Sequence, residues 1–197
     1  MNAADGVTPG LSVACLVRDD GWVDGAAWIE SPNCDLRPDG CSVSLAVIHA
    51  ISLPPGQFGS DDISRLFTNR LQAAAHPYFQ QIADLRVSAH FLVRRDGSLV
   101  QFVSCLRRAW HAGVSEWKGR ERCNDFSIGI ELEGCDDLPF EDAQYWRLAE
   151  LIGGLRELYP IRDIVGHSDV APGRKTDPGP RFDWSKLQSR LSTAESC

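Results

Sequence analysis

Short apolar runs with a strand-like rhythm alternate along this chain with longer stretches of helical period. Val43 to His49 (VSLAVIH) is apolar with little polar interruption, the pattern of a strand buried on both faces. LPPGQFGS follows and must be a loop, because its two prolines break any ladder. Asp61 to Leu71 (DDISRLFTNRL) opens with N-cap chemistry and spaces Ile63, Leu66, Phe67 and Leu71 as one face of a helix. Ser88 to Val103 divides into SAHFLVRR and SLVQFV around Asp96-Gly97, which predicts a hairpin. Phe126 to Glu133 (FSIGIELE) alternates strictly: Phe126, Ile128, Ile130 and Leu132 point one way, Ser127, Gly129, Glu131 and Glu133 the other. Glu141 to Tyr159 is the clearest helix, with Ala143, Trp146, Leu148, Leu151, Ile152 and Leu155 as its apolar stripe. Asp163 to Gly166 reads as a last short strand and Phe182 to Leu191 as a closing helix, while residues 1–42, rich in Gly, Asp and Pro, read as an irregular or hairpin-bearing lead-in. Strands alternating with helices predict one α/β domain with a central mixed sheet flanked by helices.

Composition narrows the classes. A chain of 197 residues can bury a core without disulfides or a structural metal. Its net charge of −7 argues against a duplex nucleic-acid binder, yet leaves room for a small anionic substrate met by a few placed arginines. The seven cysteines (Cys15, Cys34, Cys41, Cys105, Cys123, Cys135 and Cys197) are odd in number and show no C-x-x-C pair. That pattern fits scattered free thiols in a reducing compartment, not a disulfide scaffold or a cysteine-built zinc knuckle. The first residues lack a basic start followed by an apolar run, and no apolar stretch approaches the ~20 residues that cross a bilayer. The expectation is a cytoplasmic protein with no membrane association.

Candidate chemistry sits at element ends. His49 closes a buried strand and His167 follows the last one. GHSDVAPGRKTDPGP, residues 166–180, sets His167, Lys175 and Asp177 among prolines and glycines that stiffen the loop. The residue before a proline is extended, and in an extended segment Lys175 and Asp177 project to one side. Two histidines and a carboxylate are the ligand set of many catalytic zinc sites. The spacing is not a compact motif, and each residue has a bland alternative: a hydrogen-bonded histidine at a strand end, an aspartate anchoring the turn before Pro178, a solvated lysine. Glu131 faces away from Ile130 and Leu132. If both faces of the sheet are covered it lines a cleft or is buried with a partner, where burial raises its pKa towards that of a general base; otherwise it lies on an exposed strand face.

The segments VIHAISLPPGQFG, LRVSAHFLVRRDGSLVQFV, RAWHAGVSEWKGRERCNDFSIGIELEG and GHSDVAPGRKTDPGPRFDW together resemble the 1,6-anhydro-N-acetylmuramyl-L-alanine amidases of the AmpD type. These are cytoplasmic zinc amidases of cell-wall recycling, within the wider type 2 amidase and peptidoglycan-recognition fold. The resemblance spans about residues 28–190, leaving 1–27 as an N-terminal extension or lead-in and 191–197 as a C-terminal tail. It implies one zinc ion held by His49, His167 and Asp177, with Glu131 as catalytic glutamate and Lys175 stabilising the transition state. It also implies Arg86 and Arg122 as contacts to the substrate peptide, and Trp110 in the cleft wall. The implied substrate is a small anhydromuropeptide, with no nucleic acid and no obligatory protein partner. Ala50 departs from the asparagine common after the first ligand, which removes one side-chain donor. A binding module without chemistry and an envelope amidase acting on intact peptidoglycan are the alternatives.

Overall fold

The structure, a computed structural model, describes residues 15–194. In chain order its strands are β1 (Ala27–Trp28), β2 (Cys34–Leu36), β3 (Leu45–Ile51), β4 (Phe91–Val93), β5 (Leu99–Gln101), β6 (Arg107–Ala109), β7 (Glu116–Trp117), β8 (Arg120–Glu121), β9 (Ser127–Glu133) and β10 (Asp163–Gly166). The helices are α1 (Asp62–Phe67), α2 (Phe79–Ile82), α3 (Asp142–Leu158), α4 (His167–Val170) and α5 (Trp184–Ala194). Six strands form a mixed sheet in the order β1-β5-β4-β9-β3-β10. β4, β9, β3 and β10 run parallel, and β5 is antiparallel to β4.

Both faces of this sheet are covered, which is why β9 is buried along its whole length. Ile128, Ile130 and Leu132 join Ala46, Ile48, Phe91 and Val93 against Leu148, Leu151, Ile152 and Leu155 of α3. On the other face Leu92, Val100 and Phe102 pack with Leu53, Ile63, Leu66, Phe67 and Phe79. The expected hairpin is present: Arg94 N–H donates to Ser98 O, and Gly97 takes the positive φ of 83° that its turn needs.

Three expectations are corrected. The helix predicted over 61–71 ends at Phe67, because Asn69 adopts φ 59° and its amide exchanges hydrogen bonds of 2.9 and 3.0 Å with Asn33. Its first N–H is capped by Ser60 Oγ (3.2 Å), not by Asp61. On α3, Trp146 and Ala143 lie outside the buried stripe. Trp146 lies under the Arg190 guanidinium, and Tyr145 enters the core, its hydroxyl accepting Asp183 N–H at 2.7 Å. The lead-in carries a hairpin-like turn, with Val17 bridged antiparallel to Val23, and from residue 15 onward it packs into the domain, since Cys15, Val17 and Val23 are buried in the core that holds α3. Gln101, fully buried, accepts Val23 N–H (2.7 Å) and donates to Gly21 O (2.8 Å), tying that segment to β5. The six described cysteines are free thiols, and Cys197 lies outside the described residues. No helix among the described residues is long and apolar enough to cross a membrane.

Candidate active site

Strand register assembles the site. β3 pairs with β9 so that His49 stands beside Glu131, and with β10 so that Ile48 stands beside Gly166. His49 and Glu131 therefore share the face opposite α3, and His167 starts α4 immediately after β10. All three sit towards the carboxyl ends of parallel strands, where open α/β sheets place ligands. Gly166 N–H is bound by the Asp169 carboxylate (2.7 Å), which fixes the turn from strand to helix.

Asp177 arrives from the following loop. Ser168 N–H donates to its carbonyl (2.9 Å), and Pro178 packs on Gly166, where a Cβ would come within 2.8 Å of the proline ring. The loop before it is not extended as expected: Arg174 and Lys175 N–H both turn back onto Ala171 O at 3.1 Å, because an unpaired loop satisfies its amides locally.

His49 Nδ1, His167 Nδ1 and Asp177 Oδ2 converge in a triangle with sides of 2.9, 3.1 and 3.0 Å. His167 Nε2–H donates to Ala112 O (3.1 Å), which leaves a lone pair on Nδ1 facing the cluster. Two imidazole nitrogens and one carboxylate oxygen aimed at one point suit a zinc ion, whose tetrahedral ligands stand roughly 3.3 Å apart. Both histidines are buried. Burial drives the pKa of His49 down to about 4, against the opposing pull of Asp177. Burial works against ionisation of Asp177, but its hydrogen bonds to His167 and His49 prevail and hold it well below the usual carboxylate range.

These shifts predict a pH dependence for the metal-free protein. The unfolded chain protonates His49 near 6.5 and the folded chain near 4, so folding stability is lost as pH falls across that window, by about 3 kcal/mol. Glu131 works in the opposite sense. Its folded pKa is raised, so it gains stability as pH falls towards 4.5. Metal-free Glu131→Gln should therefore lose stability more steeply than the wild type between pH 6.5 and 4 in urea unfolding. A flat profile in that variant would show that His49 is not held neutral by burial.

A cleft of about 530 Å³ opens on the cluster. Glu131, Trp110, His111, Arg174 and Lys175 line it beside the three ligand candidates, and Leu53, Pro55, Tyr78, Ile82, Leu85 and Val87 form an apolar wall. Glu131 is 9% exposed and its Oε2 has no hydrogen-bond partner. Burial, then the charge of Asp177, lifts its pKa well above the usual range, while Lys175 pulls it back. Glu133 has a different environment: its carboxylate accepts Gly59 N–H (2.7 Å) and Arg95 N–H (3.3 Å), bracing the loop after β3.

The two arginines expected to contact substrate are not in the cleft lining. Arg86 is exposed at the rim between Leu85 and Val87, with its guanidinium on Asp84 O (3.2 Å). Arg122, at φ 61°, lines a second groove of about 570 Å³ that shares Arg174 with the cleft. Arg174 was not singled out by the sequence; it donates to Ala112 O (2.5 Å) and Val114 O (2.7 Å). His111 was also missed, although its Nδ1 lies 2.9 Å from His49 Nε2. The available signal was Gly129, a glycine in the middle of a strand, which marks a close approach.

The family described as N-acetylmuramoyl-L-alanine amidase matches residues 39–180, a span containing every residue of this cluster. The chain belongs to that family. Among similar proteins, the 1,6-anhydro-N-acetylmuramyl-L-alanine amidase AmpD of Escherichia coli is 54% identical over 179 residues, covering 90% of this chain and 98% of its own. A crystal structure of a selenomethionine AmpD derivative superposes with TM-score 0.87 at 54% identity, covering 89% of this chain and 99% of that one. The amidase AmiD of E. coli, in complex with anhydro-N-acetylmuramic acid-L-Ala-D-gamma-Glu-L-Lys, gives 0.58 at 29% identity, covering 89% and 65%. As an N-acetylmuramoyl-L-alanine amidase the protein is a hydrolase, with the central mixed sheet and flanking helices expected from its sequence.

Proposed function

We propose that this amidase uses zinc to cleave the amide between 1,6-anhydro-N-acetylmuramic acid and L-alanine of small muropeptides, in cytoplasmic recycling of cell-wall fragments. The observation that carries the reading is the convergence of His49, His167 and Asp177 beside a buried, unpartnered Glu131. Bound there, zinc would supply Lewis-acid polarisation of the scissile carbonyl and acidify the attacking water. Glu131 takes the proton of that water and passes it to the leaving amine of L-alanine. Its raised pKa suits both transfers. Lys175 supplies positive charge where the carbonyl oxygen becomes an oxyanion. The apolar wall and Trp110 receive the sugar and the first residues of the peptide. A module that only binds has no use for an unpartnered buried carboxylate beside a ligand set. The free thiols accord with a reducing compartment.

Mass spectrometry of products from anhydro and non-anhydro muropeptides and from intact peptidoglycan tests this reading. Release of peptides with a free L-alanine amine from the anhydro substrate is expected. Cleavage of the intact polymer alone would point to the envelope role, and no cleavage of any substrate would leave a binding module.

Arg86 and Arg122 are proposed to reach carboxylates on the distal part of the peptide, which fits their positions at the rim and in the adjoining groove. A guanidinium grips a carboxylate through two parallel hydrogen bonds. Truncating either to alanine should lower kcat/KM on peptide-bearing substrates by ~1.5–3 kcal/mol, the range for charged hydrogen bonds. The loss on anhydromuramyl-L-alanine should be much smaller. Equal losses on both substrates would make these arginines supports of the fold.

A further inference from the structure

We propose that His111 is a positioning residue for the metal site: it accepts the Nε2–H of His49 and so turns the His49 Nδ1 lone pair towards His167 and Asp177. The inference rests on the ligand reading above. It comes from a run of hydrogen bonds that ends on a backbone carbonyl. Cys123 O can only accept, so Ser127 Oγ–H donates to it at 2.6 Å. Ser127 Oγ then offers only lone pairs to His111 Nε2 at 3.1 Å, which places a proton on that nitrogen. A neutral His111 leaves its Nδ1 bare. That atom lies 2.9 Å from His49 Nε2, which must supply the hydrogen. A neutral His49 with its proton on Nε2 has a free Nδ1, the atom 2.9 Å from His167 Nδ1 and 3.1 Å from Asp177 Oδ2. Run the other way, the protons would put a hydrogen on His49 Nδ1, inside the ligand triangle.

Three further features fit this role. A Cβ at Gly129 would come within 2.6 Å of His111 Nδ1, so only glycine at that point of β9 admits the ring. Asn124 Oδ1 accepts both His111 N–H (3.2 Å) and Ala112 N–H (2.8 Å), fixing the backbone beneath it. The ring is enclosed on two sides by other imidazoles, with centroids 5.0 Å from that of His49 and 5.8 Å from that of His90. Partners of this kind fix the tautomer and orientation of a ligating imidazole, and their loss typically weakens metal binding 10–100-fold.

Two measurements test the assignment. In long-range ¹H–¹⁵N spectra of the metal-free wild type, His49 and His111 should each carry their proton on Nε2. A proton on His111 Nδ1 would overturn the proposal without any variant. Zinc affinity should then be measured by competition with a chromophoric chelator, with thermal unfolding to confirm that each variant is folded. His111→Phe keeps the ring volume but has no acceptor and should bind zinc ~10–100-fold more weakly. His111→Asn offers an oxygen near the Nδ1 position and should recover most of that loss. If His111→Phe binds zinc as tightly as the wild type, the ring acts only by packing and the inference fails. If the wild type binds no zinc, the ligand reading itself fails.

Discussion

Glu131→Gln should cut kcat at least ~10²-fold while the protein keeps its metal, the loss expected when a general base is removed. Glutamine matches the shape of glutamate but cannot take a proton. No hydrogen bond is sacrificed at Oε2, which has no partner. The substitution also removes a carboxylate that burial already disfavours as an anion, so the fold should not suffer. Steady-state hydrolysis and metal content, measured on one sample, decide the matter. Near wild-type turnover would move the base elsewhere. Glu133 is a poor substitute, because Gly59 and Arg95 N–H already occupy its carboxylate.

Removing the metal should abolish hydrolysis altogether, and zinc alone should restore it. His167→Ala should reach the same state by another route, losing the ion itself. It deletes one corner of the triangle, and the two remaining donors, His49 Nδ1 and Asp177 Oδ2, lie 3.1 Å apart with nothing to complete a site of three. The pairing of results matters: Glu131→Gln keeps metal without turnover, His167→Ala keeps neither. Full activity in a sample verified to hold no metal would end the mechanism.

The sheet was legible because its signals are local. FSIGIELE alternates and VSLAVIH is mostly apolar, and they became β9 and most of β3. Where long-range contacts decide, the local pattern misled. Asn33 closes α1 from 36 residues away, and the choice of Tyr145 over Trp146 depends on what α3 meets: Phe182 on one side and Arg190 on the other. The proposed ligand set could not come from spacing, since His49 lies 118 residues from His167 and 128 from Asp177. Only the resemblance joined them; parallel register brings His49 beside the start of α4, and the loop after α4 returns Asp177 to both histidines. His111 stayed hidden because a histidine in a loop between strands carries no periodic signal.

β1 has a wider consequence. It has only two residues, paired with Val100 and Gln101, and with Ile29 and Ser31 N–H continuing onto Gln101 O and Phe102 O it closes the open side of β5. β1, Ile29 and Ser31 lie before residue 39, where the match to the family begins. A chain cut back to that match would leave a buried apolar strand with unpaired backbone groups and a Gln101 amide stripped of Val23 and Gly21. Such an edge is a template for another copy of itself. The short N-terminal strand is therefore expected to guard that edge against self-association, and a shortened chain to aggregate before it loses its active site.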